Sequence, residues 1–490
     1  MKSSVPELRL RQANLRQTRS DGEYVLYWMT TARRTHGNYA LQRAVDWCEA
    51  LQKPLLVFEP IGCRGRWNSD RFHAFVLQGM RDQQARLKEV GAGYLPSVER
   101  MPGAARVIFD ELTRRACVVV ADDFPCYFLP QMLEAGAARC PVRMEAVDGN
   151  GLFPMRGTDQ VFPTAYAFRR FLQKNLPAHL GQFPKFDPFR GRDLPRFAES
   201  LLPQSIRELS TVDDLLLRGD PAALAGIPID HSVGPAAFPG GEAAGRKVLR
   251  TFLESRLNRY AEHRNDPDQE AASGLSPYLH FGHIGAHEIF VAITQRENWT
   301  PERLAAKASG SREGWWMMSP EAESFLDELI TWRELGFNMC SHRSDFDQYG
   351  SLPEWARRTL QEHAGDPRPW RYSADELEGA ETHDELWNAA QRQLVREGRM
   401  HNYLRMLWGK KVLEWSASPE EAVETLIHLN NKYAVDGRNP NSYSGIFWVF
   451  GRYDRAWGPE RPIFGKIRYM SSENTARKLP VKGYLDRYGP

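Results

Sequence analysis

Short apolar runs alternate with longer segments of helical period through the first part of the chain. Tyr24–Met29 (YVLYWM), Pro54–Glu59 (PLLVFE), Cys117–Ala121 (CVVVA) and Val142–Val147 (VRMEAV) are rich in β-branched and aromatic residues. Between them, Tyr39–Leu51, Arg71–Val90 and Ala104–Arg115 carry helical patterns. Continuous apolar strands separated by helices predict a parallel sheet covered on both faces. Ligands of such sheets usually sit in the loops that follow the strands. No GxGxxG or GxxxxGKS/T follows any of these strands, which argues against a standard dinucleotide or P-loop site. The Asp122–Asp123 pair after CVVVA reads either as a site or as a solvated turn.

The pattern then changes. From about Gly181 to Gly245 the chain is rich in Pro, Gly, Phe and Asp and has few periodic stretches, which predicts a long interdomain connection. Beyond Arg246 helical periods dominate: Arg246–Tyr260, Pro320–Asn338, Leu352–His363, Asp384–Glu397, His401–Trp415 and Pro419–Tyr433. The expected organisation is an α/β domain over 1–180, a linker over 181–245 and an all-helical domain over 246–490.

A chain of 490 residues exceeds one hydrophobic core and suits two large domains. With 42% hydrophobic and 26% charged residues and no eighteen-residue apolar run, it is neither a membrane-spanning helical protein nor a disordered one. The start, MKSSVPELRLRQANLRQ, lacks an apolar signal core; its basic residues leave an organelle-targeting reading beside that of a solvated, ragged terminus. Six cysteines show no CxxC and no paired spacing with histidines, so they read as reduced, mostly buried thiols without zinc or disulfides, in the cytoplasm of a bacterium or archaeon or in a eukaryotic nucleus. The net charge of +2 conceals an asymmetry: from Gly451 onward nine Lys and Arg face four acids. Such a tail is either a solvated surface or a set of phosphate contacts. Eleven of the fourteen tryptophans lie from Trp299 onward. A large aromatic core would account for that skew, so its chemistry must come from position.

Three segments of the helical half combine unusual residues. In Ala272–Gly282 (ASGLSPYLHFG), Ser hydroxyls and freed backbone N–H groups suit phosphate, although a helix cap uses the same residues. Glu328 and Trp332 are four apart, so a helix presents a carboxylate and an indole on one face; a surface acid beside a core Trp has the same spacing. Arg405 lies in HNYLRMLWGKKVLEW, followed by LNNKYAVDGRNPNSYSG, a loop dense in Asn, Asp and Gly. That loop reads as a turn, or as the polar group a flavin needs: a carboxamide (Asn430) and an Arg405–Asp436 pair against the ring.

Taken in order, SGLSPYLHFG, ELITWREL, LWNAAQ, RMLWGKKVLEW, LNNKYAVDGRNPN and ERPIFGKIRYM resemble the photolyase/cryptochrome superfamily, and most closely its class II cyclobutane pyrimidine dimer photolyases. The likeness runs through the whole helical half and, more loosely, through the opening one. The resemblance implies a Rossmann-like antenna-type domain joined to an all-α domain holding FAD, with damaged DNA as partner. It implies a monomer and an antenna chromophore, either a deazaflavin or a folate, on which no residue of the first half decides.

Position by position, the resemblance puts Asn430 at flavin N5 and the Arg405–Asp436 pair at the ring. Tyr260, Ser273, Gly274, Leu275, Ser276, Leu279 and Gly437 complete the expected FAD set. Glu328 is expected to hydrogen-bond the dimer, Trp332 and Trp448 to clamp it, and Met406, Arg455 and Arg468 to border lesion and DNA. Trp387, Trp408 and Trp415 are expected to relay electrons from the surface to resting flavin. Trp408 and Trp415 are seven apart, about 10 Å of helical rise, and face the same way. The chemistry is consistent: a cyclobutane dimer offers no electrophile for hydrolytic machinery, and its splitting needs one electron in and one back.

Two departures from the family pattern stand out. VFGRYDRAW after Trp448 is one residue shorter than the common form and has Tyr453 where His is common; Asn402 replaces a small Gly. The competing reading is a cryptochrome-like FAD photoreceptor without repair activity, and a third is a nucleic-acid-binding module without catalysis. Against the photoreceptor stand Glu328, Trp332 and Trp448 and the lack of an expected long low-complexity tail beyond Pro490.

Overall fold

The computed structural model describes residues 3–210 and 212–490, so Met1 and Lys2 of the basic start lie outside the described residues. Two compact units emerge. One holds the chain up to Asp159 together with Leu176–Leu249 and Leu275–Arg296; the other holds Gln160–Asn175, Arg250–Gly274 and Glu297–Pro490. These ranges differ from a linear cut at 180 and 245, because the chain passes between the units several times and composition does not register such passages.

The first unit is built on six strands: β1 (Leu10–Gln12), β2 (Tyr24–Trp28), β3 (Leu55–Ile61), β4 (Gly93–Val98), β5 (Ala116–Asp122) and β6 (Met144–Val147). Their order is β1-β6-β5-β2-β3-β4, all parallel except β1, which runs antiparallel to β6. The apolar runs become central strands because helices cover both faces: every residue of β2 and β5 is buried. Helices Tyr39–Leu51 and Ala104–Arg115 have the expected bounds, the first N-capped by Asn38. The sequence pattern does not reveal β1 or β4. Both are edge strands: β1 reads LRQ, and β4 contains Gly93 and Pro96, tolerated only where a ladder position is free.

Asp122 corrects the reading of a solvated turn. It is buried, and its carboxylate accepts the N–H groups of Thr30, Thr31 and Ala32 at 2.8, 2.8 and 3.0 Å and the Tyr27 hydroxyl at 2.8 Å. The stretch 181–245 is not a free connection either. It forms short helices, among them Gln204–Leu209, Asp214–Leu217 and Pro221–Leu224. Leu216, Leu217, Leu224 and Ile227 are buried with Val76 and Leu77 of the helix Asp70–Glu89.

The second unit is helical. The periods read over Asp384–Glu397, His401–Trp415 and Pro419–Tyr433 become Glu385–Glu397, Asn402–Trp415 and Pro419–Tyr433. Asp384 and Ser418 cap the first and third, and left-handed Gly398 ends the first. The period over Pro320–Asn338 is interrupted. Pro320–Leu326 passes into a π-helical turn, Asp327–Trp332, before Arg333–His342 resumes. Such turns are wider than the α-helix and common at functional sites. No helix among the described residues is long and apolar enough to cross a membrane.

Candidate active site

A cavity of 1290 Å³ opens in the helical unit. Glu328 and Trp332 reach it from the π-turn, Met406 from the helix Asn402–Trp415, Trp448 from the helix Pro440–Val449, and Arg455 and Arg468 from the C-terminal stretch. The whole expected lesion set therefore shares one cavity. The π-turn keeps Glu328 and Trp332 on the same wall, the Arg333 N–H bonding back to the Glu328 carbonyl.

A buried ion pair anchors that turn. Arg169, from the helix Ala165–Asn175, grips Asp327 with two bonds of 2.6 and 2.9 Å. Beside it, Arg264 donates to Glu328 Oε1 at 2.6 Å while its guanidinium lies 5.6 Å from the Tyr260 ring centre. Burial pushes the Glu328 carboxyl above the usual range, and Arg264 offsets only part of that. The site thus holds a carboxyl group that retains its proton more readily than a free Glu. Sequence reasoning missed Arg264 as a site residue, because its role appears only through this long-range pairing.

On the facing wall, Asp454 accepts from Arg468 Nε at 3.0 Å, from the Arg455 N–H at 2.9 Å and from Trp457 Nε1 at 3.1 Å. Burial opposes its ionisation, but these bonds outweigh burial and hold its carboxyl below the usual range. The Arg468 guanidinium lies 3.9 Å from the Trp457 ring centre and 5.4 Å from that of Trp448. Tyr453 also lines the cavity, buried and with φ 65°. Asn402 lines it as well, so both departures from the family pattern lie at this cavity.

The expected cofactor set is less gathered. Arg405 lines the cavity and pairs with Asp436 at 3.1 Å. Asn430, buried, donates through Nδ2 to Ser442 Oγ at 2.7 Å and to Asn431 Oδ1 at 3.2 Å, and Ser442 lines the cavity. A Cβ at Gly437 would lie 2.8 Å from the Asn430 carbonyl oxygen, so Gly is required where this loop closes on its helix. At Gly445, on the cavity wall, an added Cβ would meet only Met406 Cε at 3.9 Å, leaving open space for a planar group. Tyr260 is buried against Phe252 and Phe325. Ser273 and Gly274 end one segment of the helical unit, whereas Leu275, Ser276 and Leu279 belong to the α/β unit.

Trp387, Trp408 and Trp415 form a continuous aromatic stack, with Trp387 in the middle. Its ring centre is 6.4 Å from Trp408, at 9° between planes, and 5.4 Å from Trp415, at 70°. Trp387 Nε1 donates to the Trp408 carbonyl, and Trp408 Nε1 to Gln391. None of the three lies at the surface: they are 0%, 2% and 2% exposed. A relay reaching solvent needs further members. Trp415 contacts Tyr372 and His383, and His383 stacks at 4.3 Å on Trp370, which is 53% exposed.

No family model matches the chain. Whole-chain relatives do. The deoxyribodipyrimidine photo-lyase of Methanothermobacter thermautotrophicus is 33% identical over 98% of this chain and 97% of its own length. The enzyme of the same name from Oryza sativa subsp. japonica is 36% identical over 95% and 87%, and that of Arabidopsis thaliana 34% identical over 94% and 88%. Among solved structures, a bacterial class III photolyase from Agrobacterium tumefaciens superposes with a TM-score of 0.66 at 16% identity, covering 95% of this chain and 86% of that one. An archaeal photolyase from Sulfolobus tokodaii, with two FAD molecules, gives 0.64 at 13%, covering 95% and 90%. These likenesses bear out the α/β-plus-helical fold, and identity sustained over nearly the full length of the relatives shows that the chain belongs to the deoxyribodipyrimidine photo-lyase family.

Proposed function

We propose that this chain is a light-driven DNA repair enzyme that splits cyclobutane pyrimidine dimers, with reduced FAD as the electron donor. The observation that carries the reading is the convergence of Glu328, Trp332, Met406, Trp448, Arg455 and Arg468 on one cavity. A flipped-out dimer brings two pyrimidine faces, carbonyl oxygens and a phosphate backbone. The two indoles offer apolar faces for the first, Glu328 a hydrogen bond for the second and the two arginines charge for the third. Met406 would close the remaining wall and help exclude water.

The residues present also fit a flavin. Arg405–Asp436 supplies a fixed ion pair at the cavity wall, Asn430 a buried amide held by Ser442, and Gly445 an unfilled stretch of wall. Arg405, Asp436 and Asn430 would hold the ring, with Gly437 closing their loop; Tyr260, Ser273, Gly274, Leu275, Ser276 and Leu279 remain the proposed contacts of the rest of the cofactor. The chemistry a bound reduced FAD supplies is one photoexcited electron, returned after both cyclobutane bonds break. The protein's task is then to keep water out and to hold the dimer's carbonyls. Glu328, whose carboxyl burial pushes above the usual range, would hydrogen-bond the side that becomes negative. Trp408, Trp387 and Trp415 would carry electrons inward to reactivate resting cofactor. The α/β unit would serve as the antenna-type domain, with a deazaflavin or folate, and the enzyme would act as a monomer in the cytoplasm or nucleus.

The deciding assay illuminates the reduced protein with dimer-containing DNA and follows recovery of thymine absorbance. Light-dependent recovery is expected; FAD bound without recovery would overturn repair in favour of a photoreceptor.

A further inference from the structure

Lys410 follows Met406 by one turn on the helix Asn402–Trp415 and is fully buried. Its Nζ donates to the Val449 carbonyl at 2.5 Å and lies 5.1 Å from the centre of the Trp448 ring. Val449 ends the helix Pro440–Val449, so this bond places a cation at a helix C-terminus. The neighbouring Gly409 makes the approach possible: a Cβ there would stand 2.5 Å from Val449 Cγ2. Among the described residues no carboxylate lies within 4 Å of Nζ. Asp454, the acid that acts on Lys410, is engaged by Arg468, whose guanidinium also faces Trp448.

A buried ammonium without a carboxylate is costly, and Met or Leu would fill the same space without that cost. The cost is borne behind the indole that, on the functional reading above, stacks on the dimer. We propose that Lys410 is a positioning residue for dimer splitting: it fixes Trp448 by a cation–π contact and supplies, through that ring, positive potential that stabilises the extra electron on the bound pyrimidine pair. The dimer gains one electron, its two C–C bonds break and the electron leaves again. Lys410 gives up neither electron nor proton during the cycle; its charge lowers the energy of the anionic state between those events.

The charge is also adjustable. Burial pulls the Lys410 ammonium down to about 7, against Asp454, which raises it, and with Arg468, which lowers it further. The cation is therefore present below that pH and lost above it, so the repair yield per absorbed photon falls as pH rises through neutrality. The test measures that yield on dimer-containing DNA from about pH 6 to 9 for wild type, Lys410→Met and Lys410→Arg, with dissociation constants at each pH. Wild type should show a downward step, Lys410→Met a flat profile at the lower level with DNA binding retained, and Lys410→Arg a flat profile at the upper level. A step that persists in Lys410→Met, or a flat wild-type profile, overturns the proposal; the second result decides even if the variants do not fold. A direct reading comes from lysine side-chain NMR, where one resonance should titrate near neutrality and be missing in Lys410→Met. Lys410 titrating at the ordinary lysine value of about 10.4 would also overturn it. Absence of repair by wild type at every pH sinks the functional reading and this proposal with it; repair without the step sinks this proposal alone.

Discussion

The helical unit holds two groups of tryptophans that differ in exposure and neighbours. Trp332 and Trp448 are half-buried, each with one face toward a cavity bordered by Glu328 and arginines. Trp387, Trp408 and Trp415 are buried and touch one another, their Nε1 atoms at positions 387 and 408 tied to a carbonyl and an amide. The same side chain is thus a platform in one place and a link in the other. An open face suits a planar ligand, whereas closed contact between indoles suits electron hopping and excludes substrate. The difference teaches that five of the eleven tryptophans from Trp299 onward fall into two distinct arrangements within one unit, and each can be tested apart from the other.

The largest separation should come from Trp387→Phe. Because Trp387 bridges the other two rings, its loss should abolish photoreduction of oxidised enzyme, read as the light-dependent decay of flavin absorbance. Repair by chemically reduced enzyme should be unchanged. Equal photoreduction in variant and wild type would remove the relay from the comparison. Trp448→Ala should do the reverse. Base–aromatic stacking contributes about 1–3 kcal/mol, so affinity for dimer-containing DNA should drop by about 5- to 150-fold. Photoreduction should stay at the wild-type rate; fluorescence anisotropy against damaged and undamaged duplexes reads the first, flavin absorbance the second.

How far the sequence reached follows the same division. The residues expected at the lesion lie in short motifs, and of their elements only the helix of Met406, Asn402–Trp415, forms as its period predicts. The order of the stack was not legible: Trp408 and Trp415 share a face by spacing, but that Trp387 stands between them depends on how two helices pack. The burial of Trp415, and with it the need for Tyr372, His383 or Trp370 further out, is likewise a tertiary property. The π-turn at Asp327–Trp332 escapes a reading tuned to 3.6 residues per turn, and β1 and β4 escape one tuned to apolar strands. Arg264 and Lys410 look like ordinary surface cations until their partners, Glu328 and Trp448, come from elsewhere in the chain.

Two acids extend the contrast from rings to carboxyl groups. Glu328→Gln keeps the shape of the wall but removes the carboxyl group that pairs with Arg264. Repair yield should fall while dimer binding changes little, since an amide still offers one donor and one acceptor. The pH step assigned to Lys410 should persist in Glu328→Gln, because that substitution leaves Lys410 and its contact with Trp448 in place. An unchanged repair yield in Glu328→Gln would show that this carboxyl does not support splitting.

Asp122→Asn, in the α/β unit, should have the smallest effect on chemistry and act on stability alone. Its carboxylate does not line the 1290 Å³ cavity; three backbone N–H groups and the Tyr27 hydroxyl already use its acceptor sites. An amide oxygen can take the place of Oδ2, but the nitrogen then faces Tyr27, whose hydroxyl proton loses its acceptor while its oxygen already accepts from Asn38. The charge on the acceptor disappears as well. Hydrogen bonds to charged groups are worth about 1.5–3 kcal/mol against about 1 for neutral ones, so a loss of about 2 kcal/mol is expected, seen as a lower melting temperature. Repair and photoreduction below that temperature should match wild type. If instead Asp122→Asn reduced the repair yield at unchanged stability, the acid at the end of β5 would belong with Glu328 after all, and the contrast between a saturated carboxylate and a working one would fail.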